Sequence, residues 1–264
     1  MKRYSIFYAP ILSFFSRKLY RDVCHQGKGV GFLYLLLLLT ICWLPPLMKM
    51  QDGLSNFVDN EAPEVVAQIP NITITKGLAS IAEPQPYYIR DLKTDTVLFV
   101  IDTTGELTSL ADTEAFGLIT KTQAIFKKSE IETRAFSFSE IEEFTLEKDQ
   151  ITSWLAIAKK NVVPILYLFS LPFSFVFRII QVLIYAVVGL LLSSWCKSDR
   201  NYKELLRLAV VAITPGIIIK TILGTLHISL PFAGLWYLFI AIGYLLWGIK
   251  ASAQIEEPYL TTKE

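Results

Sequence analysis

Residues 30–48 and 162–249 of this chain are almost uncharged and strongly apolar, whereas residues 49–160 between them read like a soluble domain. That alternation limits the fold more than any single motif. About 20 apolar residues at a rise of ~1.5 Å cross a hydrocarbon core of roughly 30 Å, and there only helices or closed barrels satisfy their own backbone. The hydrophobic share of 53% exceeds that of an ordinary soluble chain, which runs at about 45–50%. The expected class is a membrane protein, mainly α, with about four transmembrane helices and one inserted α+β extracytoplasmic domain.

The first span is expected over residues 29–48, ending at an interfacial Trp43 followed by Pro45 and Pro46 as helix breakers. A cleaved signal peptide needs a small-residue cleavage site, and Leu44-Pro45-Pro46-Leu47 stands there instead; an uncleaved anchor is the reading adopted. Residues 161–195 form an overlong second span, entered through a segment broken by Pro164 and Pro172, with a re-entrant hairpin as the alternative. Residues 205–226 and 231–249 complete the set, separated by a short turn at His227.

Lys and Arg in short flanking segments set the orientation of such helices. Before the first span stand Lys2, Arg3, Arg17, Lys18, Arg21 and Lys28; Lys197, Arg200, Lys203 and Arg207 surround the 196–204 loop; Lys250 and Lys263 mark the tail 250–264. Four spans put all three on one side, so the expected topology is N-in and C-in, with residues 49–160 outside. Residues 49–160 hold 18 acidic and 11 basic residues, and the rest of the chain 6 and 14. In residues 1–28, Phe7, Ile11, Phe14, Phe15, Lys18 and Leu19 recur at helical spacing. That helix lies flat on the inner leaflet or packs beneath the bundle.

In the insert, residues 64–69, 72–75, 87–89 and 96–101 read as strands. Asp102-Thr103-Thr104-Gly105 has turn chemistry, with 106–110 returning as a hairpin partner. Residues 116–126 and 131–138 are strand-like around a polar turn at 127–130, and 139–160 are helix-like. The sum is an α+β domain of five or six strands.

Asp102-Thr103-Thr104-Gly105 has an aspartic-protease flavour, but the extra Thr breaks that pattern and a second carboxylate is needed to share the proton; a turn accounts for it. Gly27-Lys28-Gly29-Val30-Gly31 lacks the Gly-Lys-Ser/Thr ending of a phosphate loop and precedes a membrane helix. The only histidines, His25 and His227, fall on opposite sides of the membrane, and Cys24, Cys42 and Cys196 form no cluster; no metal site and no cofactor is expected. The insert has no His for a nucleophilic triad, so no catalytic residue is assigned and an enzyme is not expected. Asn71-Ile72-Thr73 fits a glycosylation acceptor, or simply strand sequence.

Polar residues inside the spans stand out. Arg178 and Gln181 lie one turn apart, with Ser174 and Tyr185 on about the same face, and Lys220 follows Thr214-Pro215-Gly216. Intramembrane cations are costly and often functional, and no Asp or Glu falls within a span. Arg178, Gln181 and Lys220 are therefore the candidate anion- or lipid-binding residues; snorkelling to the interface is the alternative. Pro215-Gly216 can also kink its span.

Tyr20-Arg21-Asp22-Val23, Gly27-Lys28-Gly29-Val30-Gly31-Phe32-Leu33-Tyr34-Leu35, Trp43-Leu44-Pro45-Pro46, Phe175-Val176-Phe177-Arg178 with Tyr185, Arg207-Leu208-Ala209 and Thr214-Pro215 resemble a bacterial family. Its members are polytopic membrane proteins catalogued as "domain of unknown function 1189". The resemblance implies a bacterial cytoplasmic (inner) membrane and carries no reaction with it. The favoured reading is a non-enzymatic sensor, partner-binding or scaffold protein of the cell envelope. Its partners would be the lipid bilayer and an envelope protein or a second copy, with no nucleic acid. The alternative is an accessory transport or lipid- and anion-handling protein with its site in the bundle.

Overall fold

The computed structural model describes residues 7–26, 29–129, 132–198 and 200–253. Lys2, Arg3, Gly27, Lys28, Glu130, Ile131, Asp199, Lys263 and the tail beyond residue 253 lie outside them. The chain divides into two compact units, Met1–Met50 with Pro164–Glu264, and Gln51–Val163.

In the first unit, short α1 (Ala9–Leu12) and α2 (Arg17–Gln26) precede α3 (Phe32–Asn56). The unit then takes up the second part of α5 (Lys148–Trp195), α6 (Tyr202–Ala212), α7 (Thr214–Thr225) and α8 (Ala233–Ala253). Among the described residues four helical segments are long and apolar enough to cross a membrane, one of them formed by α6 and α7 together. Every residue from 208 to 217 is buried, so the end of α6 and the start of α7 form the centre of the bundle. The flanking helices expose Leu33, Ile41, Phe173, Leu191 and Phe239 outward, as expected of helices whose solvent is apolar.

Two expectations about proline are corrected. Pro45 and Pro46 do not end α3, which runs on to Asn56, and Pro164 and Pro172 lie inside an unbroken α5. A proline forfeits one backbone hydrogen bond, and the turns on either side hold the helix; no re-entrant hairpin forms. The third expected span is instead broken at Ile213, two residues before Pro215. Thr214 compensates locally, its hydroxyl donating to the Val210 carbonyl at 3.1 Å.

In the N-terminal segment α2 packs against the bundle. Leu19, Tyr20, Val23 and Cys24 of α2 join the core that includes Leu245 and Ile249 of α8. The Tyr20 ring meets Trp247 edge-on at 5.1 Å, and its hydroxyl donates to the Ser13 carbonyl at 2.8 Å. Phe7, Ile11 and Phe15 remain exposed. Close approach requires Gly248, where a Cβ would stand 2.5 Å from Tyr20 Cδ1.

The second unit holds a π-helical turn Phe57–Glu61, α4 (Ala62–Val66) and eight strands. Residues 64–69, expected as a strand, begin as α4, because Pro63 sits at its first turn with no N–H to lose. Strands β1 (Ile72–Thr75), β2 (Leu78–Ser80) and β8 (Glu143–Leu146) form one antiparallel sheet in the order β2-β1-β8. The β1–β2 hairpin turns on Lys76 and Gly77, both at positive φ, the pattern of a tight type I′ turn. Residues 143–146 thus become a strand, not the start of the 139–160 helix.

The larger sheet runs β3-β4-β5-β6-β7, from β3 (Tyr87–Arg90), β4 (Val97–Asp102), β5 (Gly117–Thr120), β6 (Gln123–Lys127) and β7 (Thr133–Ser137). The expected hairpin of 106–110 onto β4 does not form. β4 pairs instead with β5 in parallel, Phe99 opposite Gly117 and Asp102 opposite Thr120. The reason is burial: Leu107, Leu110 and Ala115 of the connection cover Val100, Leu118 and Ile125, which an exposed hairpin would leave wet. Residues 116–126, expected as one strand-like stretch, are the β5–β6 hairpin, so the described residues of the domain hold eight strands where five or six were expected.

Candidate functional site in the helix bundle

Ser174, Arg178, Gln181 and Tyr185 recur at helical spacing on α5, so 3.6 residues per turn bring them to one face. Arg178 Nη1 donates to Gln181 Oε1 at 2.5 Å, and Gln181 Nε2 donates to the Tyr185 hydroxyl at 3.2 Å. This chain fixes which way the Gln181 amide points. Opposite stand Ile217, Lys220 and Thr221 of α7.

Two cavities meet at these residues. One, of about 230 Å³, lies among α3, α5 and α7 and is walled largely by Leu39, Cys42, Trp43, Pro46 and Ile217, with Arg178 and Lys220 in its lining. The other, of about 280 Å³, lies among α5, α7 and α8 and also includes Arg178 and Lys220, together with Gln181, Tyr185 and Tyr237. Among the described residues no carboxylate lines either cavity. The three residues singled out in the sequence, Arg178, Gln181 and Lys220, are thus brought together, and the cavities add Trp43, Cys42 and Thr221. The sequence also gave no sign of the Tyr34 pairing: its hydroxyl lies 3.1 Å from the Thr214 hydroxyl, and both residues are buried. The only trace was a tyrosine inside an apolar run.

At the basic end of the bundle a second set gathers. Arg207 donates to the carbonyls of Gly29 at 2.8 Å and Cys24 at 3.2 Å, satisfying one acceptor in the last turn of α2 and one just past its end. Arg200 Nη2 donates to the Ser252 carbonyl at 2.6 Å, and His25 Nε2 lies 3.1 Å from the same oxygen. Ligand atoms of Cys24, His25 and Glu204 come within 4.8 Å of one another, a grouping the sequence reading did not foresee. Two features oppose a cation there. Burial, and then the Glu204 carboxylate, push the Cys24 thiol up, and Arg200 and Arg207 stand alongside with fixed positive charge.

The remaining sequence candidates resolve into structure. Asp102 is fully buried and its carboxylate accepts from the Thr104 N–H at 2.9 Å, the Thr104 hydroxyl and the Leu107 N–H. Burial pushes its pKa up, but these bonds outweigh that and hold it below the usual carboxylate value. Its acceptor capacity is spent on its own loop, which is turn chemistry and not protease chemistry. Gly29 and Gly31 adopt positive φ ahead of α3, the joint expected of that glycine-rich stretch. Ile72 of the Asn71-Ile72-Thr73 triplet is buried in β1 opposite Leu146. His227 occupies the exposed turn after α7 at a φ of 57°.

Fold and site together define a class: a chain with four helices of membrane-crossing length and composition, one inserted domain of helix and sheet, and a cationic pair in the bundle's cavities. More particularly, the chain belongs to the family described as "Protein of unknown function (DUF1189)", which it matches over residues 7–249. No curated protein and no solved structure matches it.

Proposed function

We propose that this is a non-enzymatic bacterial inner-membrane protein, N-in and C-in with its insert outside, whose bundle binds an anionic ligand at Arg178 and Lys220. The observation that carries this is that Arg178 and Lys220 line both cavities with, among the described residues, no carboxylate beside them. From Arg178 to Trp195 is 17 residues of helix, or ~26 Å at ~1.5 Å each, which in a core of roughly 30 Å sets Arg178 near the boundary opposite the basic flanks. A snorkelling arginine would reach for that nearer boundary, toward Ser174. Arg178 is hydrogen-bonded instead to Gln181, one turn further into the span, and lines both cavities with Lys220.

A cation bonded to a neutral amide, with no carboxylate among the described residues of the cavity linings, is stabilised by an anion brought from outside. The test is native mass spectrometry of the full chain with added anionic amphiphiles. Each charge-assisted contact contributes about 1.5–3 kcal/mol, so R178L and K220L should each weaken binding by at least about tenfold. Equal binding by wild type and the double variant would refute the reading.

A second reading, a partner-binding insert, is favoured by β7, all five of whose residues are exposed. On the same sheet Phe126 and Phe136 form an exposed pair with ring centroids 5.9 Å apart. An open sheet edge beside aromatic side chains suits an added strand from an envelope protein. Photocrosslinking from position 136 in intact cells tests it: a discrete adduct supports the role, and crosslinks to lipid alone count against it.

A further inference from the structure

We infer that the anion is the phosphomonoester head of an amphiphile, with its charge of about −2 between Arg178 and Lys220 and its tail in the apolar cavity beside Trp43. This rests on the anion-binding reading above and adds the ligand class.

The charge balance is the first argument. Among the described residues two cations and no carboxylate line the paired cavities. A phosphodiester brings a single negative charge and leaves one cation uncompensated in a low-dielectric setting. A phosphomonoester carries about −1.5 to −2 at neutral pH, its second pKa being about 6.

The hydrogen-bonding inventory is the second. Arg178 and Lys220 are donors only. Gln181 spends its carbonyl oxygen on Arg178, and the Tyr185 hydroxyl, already accepting from Gln181, still has its own proton to give. Tyr185 is 5% exposed and lines the same cavity; among the described residues no acceptor for that proton is seen. Arg178, Lys220 and Tyr185 each have protons to offer here, which suits a group of acceptor oxygens. A guanidinium fork with an ammonium beside it is also the usual pairing for phosphate.

The third argument concerns the rest of the ligand. The cavity bounded by Leu39, Cys42, Trp43, Pro46 and Ile217 shares Arg178, Ile217 and Lys220 with the head cavity. Free inorganic phosphate would leave that apolar space unused, whereas a hydrocarbon tail fills it.

The test uses the full chain in phosphatidylcholine nanodiscs, reading the part of the tryptophan emission lost in W43F. Brominated-chain phosphatidic acid, a monoester probe, should quench Trp43 at about tenfold lower mole fraction than brominated phosphatidylglycerol, a diester. That preference should shrink as pH falls through about 6, where the monoester loses its second charge. R178L/K220L should abolish it, R178K should keep part of it, and Y185F should weaken it several-fold without changing the ranking. Equal quenching by monoester and diester overturns the dianion assignment and leaves anion binding standing. Displacement of the lipid probe by millimolar inorganic phosphate, or binding of that phosphate with no lipid quenching, overturns the amphiphile. Quenching unaffected by R178L/K220L overturns both readings.

Discussion

Removing the Asp102 carboxylate should release the connection between β4 and β5. In the folded protein that side chain is wholly inaccessible and holds three donors, the Thr104 amide and hydroxyl on one oxygen and the Leu107 amide on the other. Hydrogen bonds to a charged group contribute about 1.5–3 kcal/mol each. Thr104 is exposed, so water can replace much of what its two donors lose. Leu107 is half-buried and packs against the Val100–Leu118 core, so its amide is less readily resatisfied. D102A should therefore cost about 2–4 kcal/mol of local stability. D102N keeps one acceptor oxygen but turns an NH₂ group toward a donor, and should cost about 1–3 kcal/mol. Hydrogen exchange of the full chain, read by mass spectrometry over residues 102–110, converts 2–4 kcal/mol into roughly 30- to 700-fold faster exchange. The pH dependence has a definite sign. The folded pKa lies below the usual value, so the stabilisation is present above about pH 4 and is lost as pH falls through the depressed folded pKa. If the 102–110 peptide exchanged no faster in D102A than in wild type at neutral pH, the carboxylate would not be the staple, and Leu107 and Leu110 packing alone would hold the crossover.

Two further perturbations probe the bundle. G248A places a methyl group 2.5 Å from the Tyr20 ring, which is buried and anchored at both face and tip, so the variant should lose about 1–3 kcal/mol; a thermal midpoint in detergent equal to wild type would contradict that packing. R207L strips the Cys24 and Gly29 carbonyls of their donor at a cost of about 1–3 kcal/mol, and should speed proteolysis near residues 24–30, while R207K should recover only part of the loss because one ammonium lacks the fork.

Much of the candidate site was legible beforehand. Arg178, Gln181 and Lys220 stood out because a charge in an apolar run is conspicuous in any linear reading. Trp43, Cys42 and Thr221 were not, since each is ordinary in a span and acquires meaning only when α3 and α7 face the same cavity. Likewise Cys24, His25 and Glu204 approach one another only because α2 tucks beneath α6 and α8, which no spacing along the chain encodes.

The sequence by itself determined which segments are long and apolar enough to span a membrane. It also located strands such as 72–75 and 96–101, because transfer free energy and β-branched content are local quantities that add along the chain. Tertiary structure decided that α3 and α5 run through their prolines while α6 and α7 part before Pro215. It also decided that β4 accepts β5 in parallel in place of a hairpin. A proline fixes only the loss of one N–H; whether the helix bends, breaks or continues depends on what packs around that turn. Strand partners, similarly, are chosen by the apolar surface that pairing covers, here Leu107, Leu110 and Ala115 over Val100 and Leu118. The carboxylate-free cavities on which the proposed function depends belong to that second kind: the charges of Arg178 and Lys220 and the Gln181 neighbour one turn away were written in the sequence, but only the packed helices brought both cations to the same cavities.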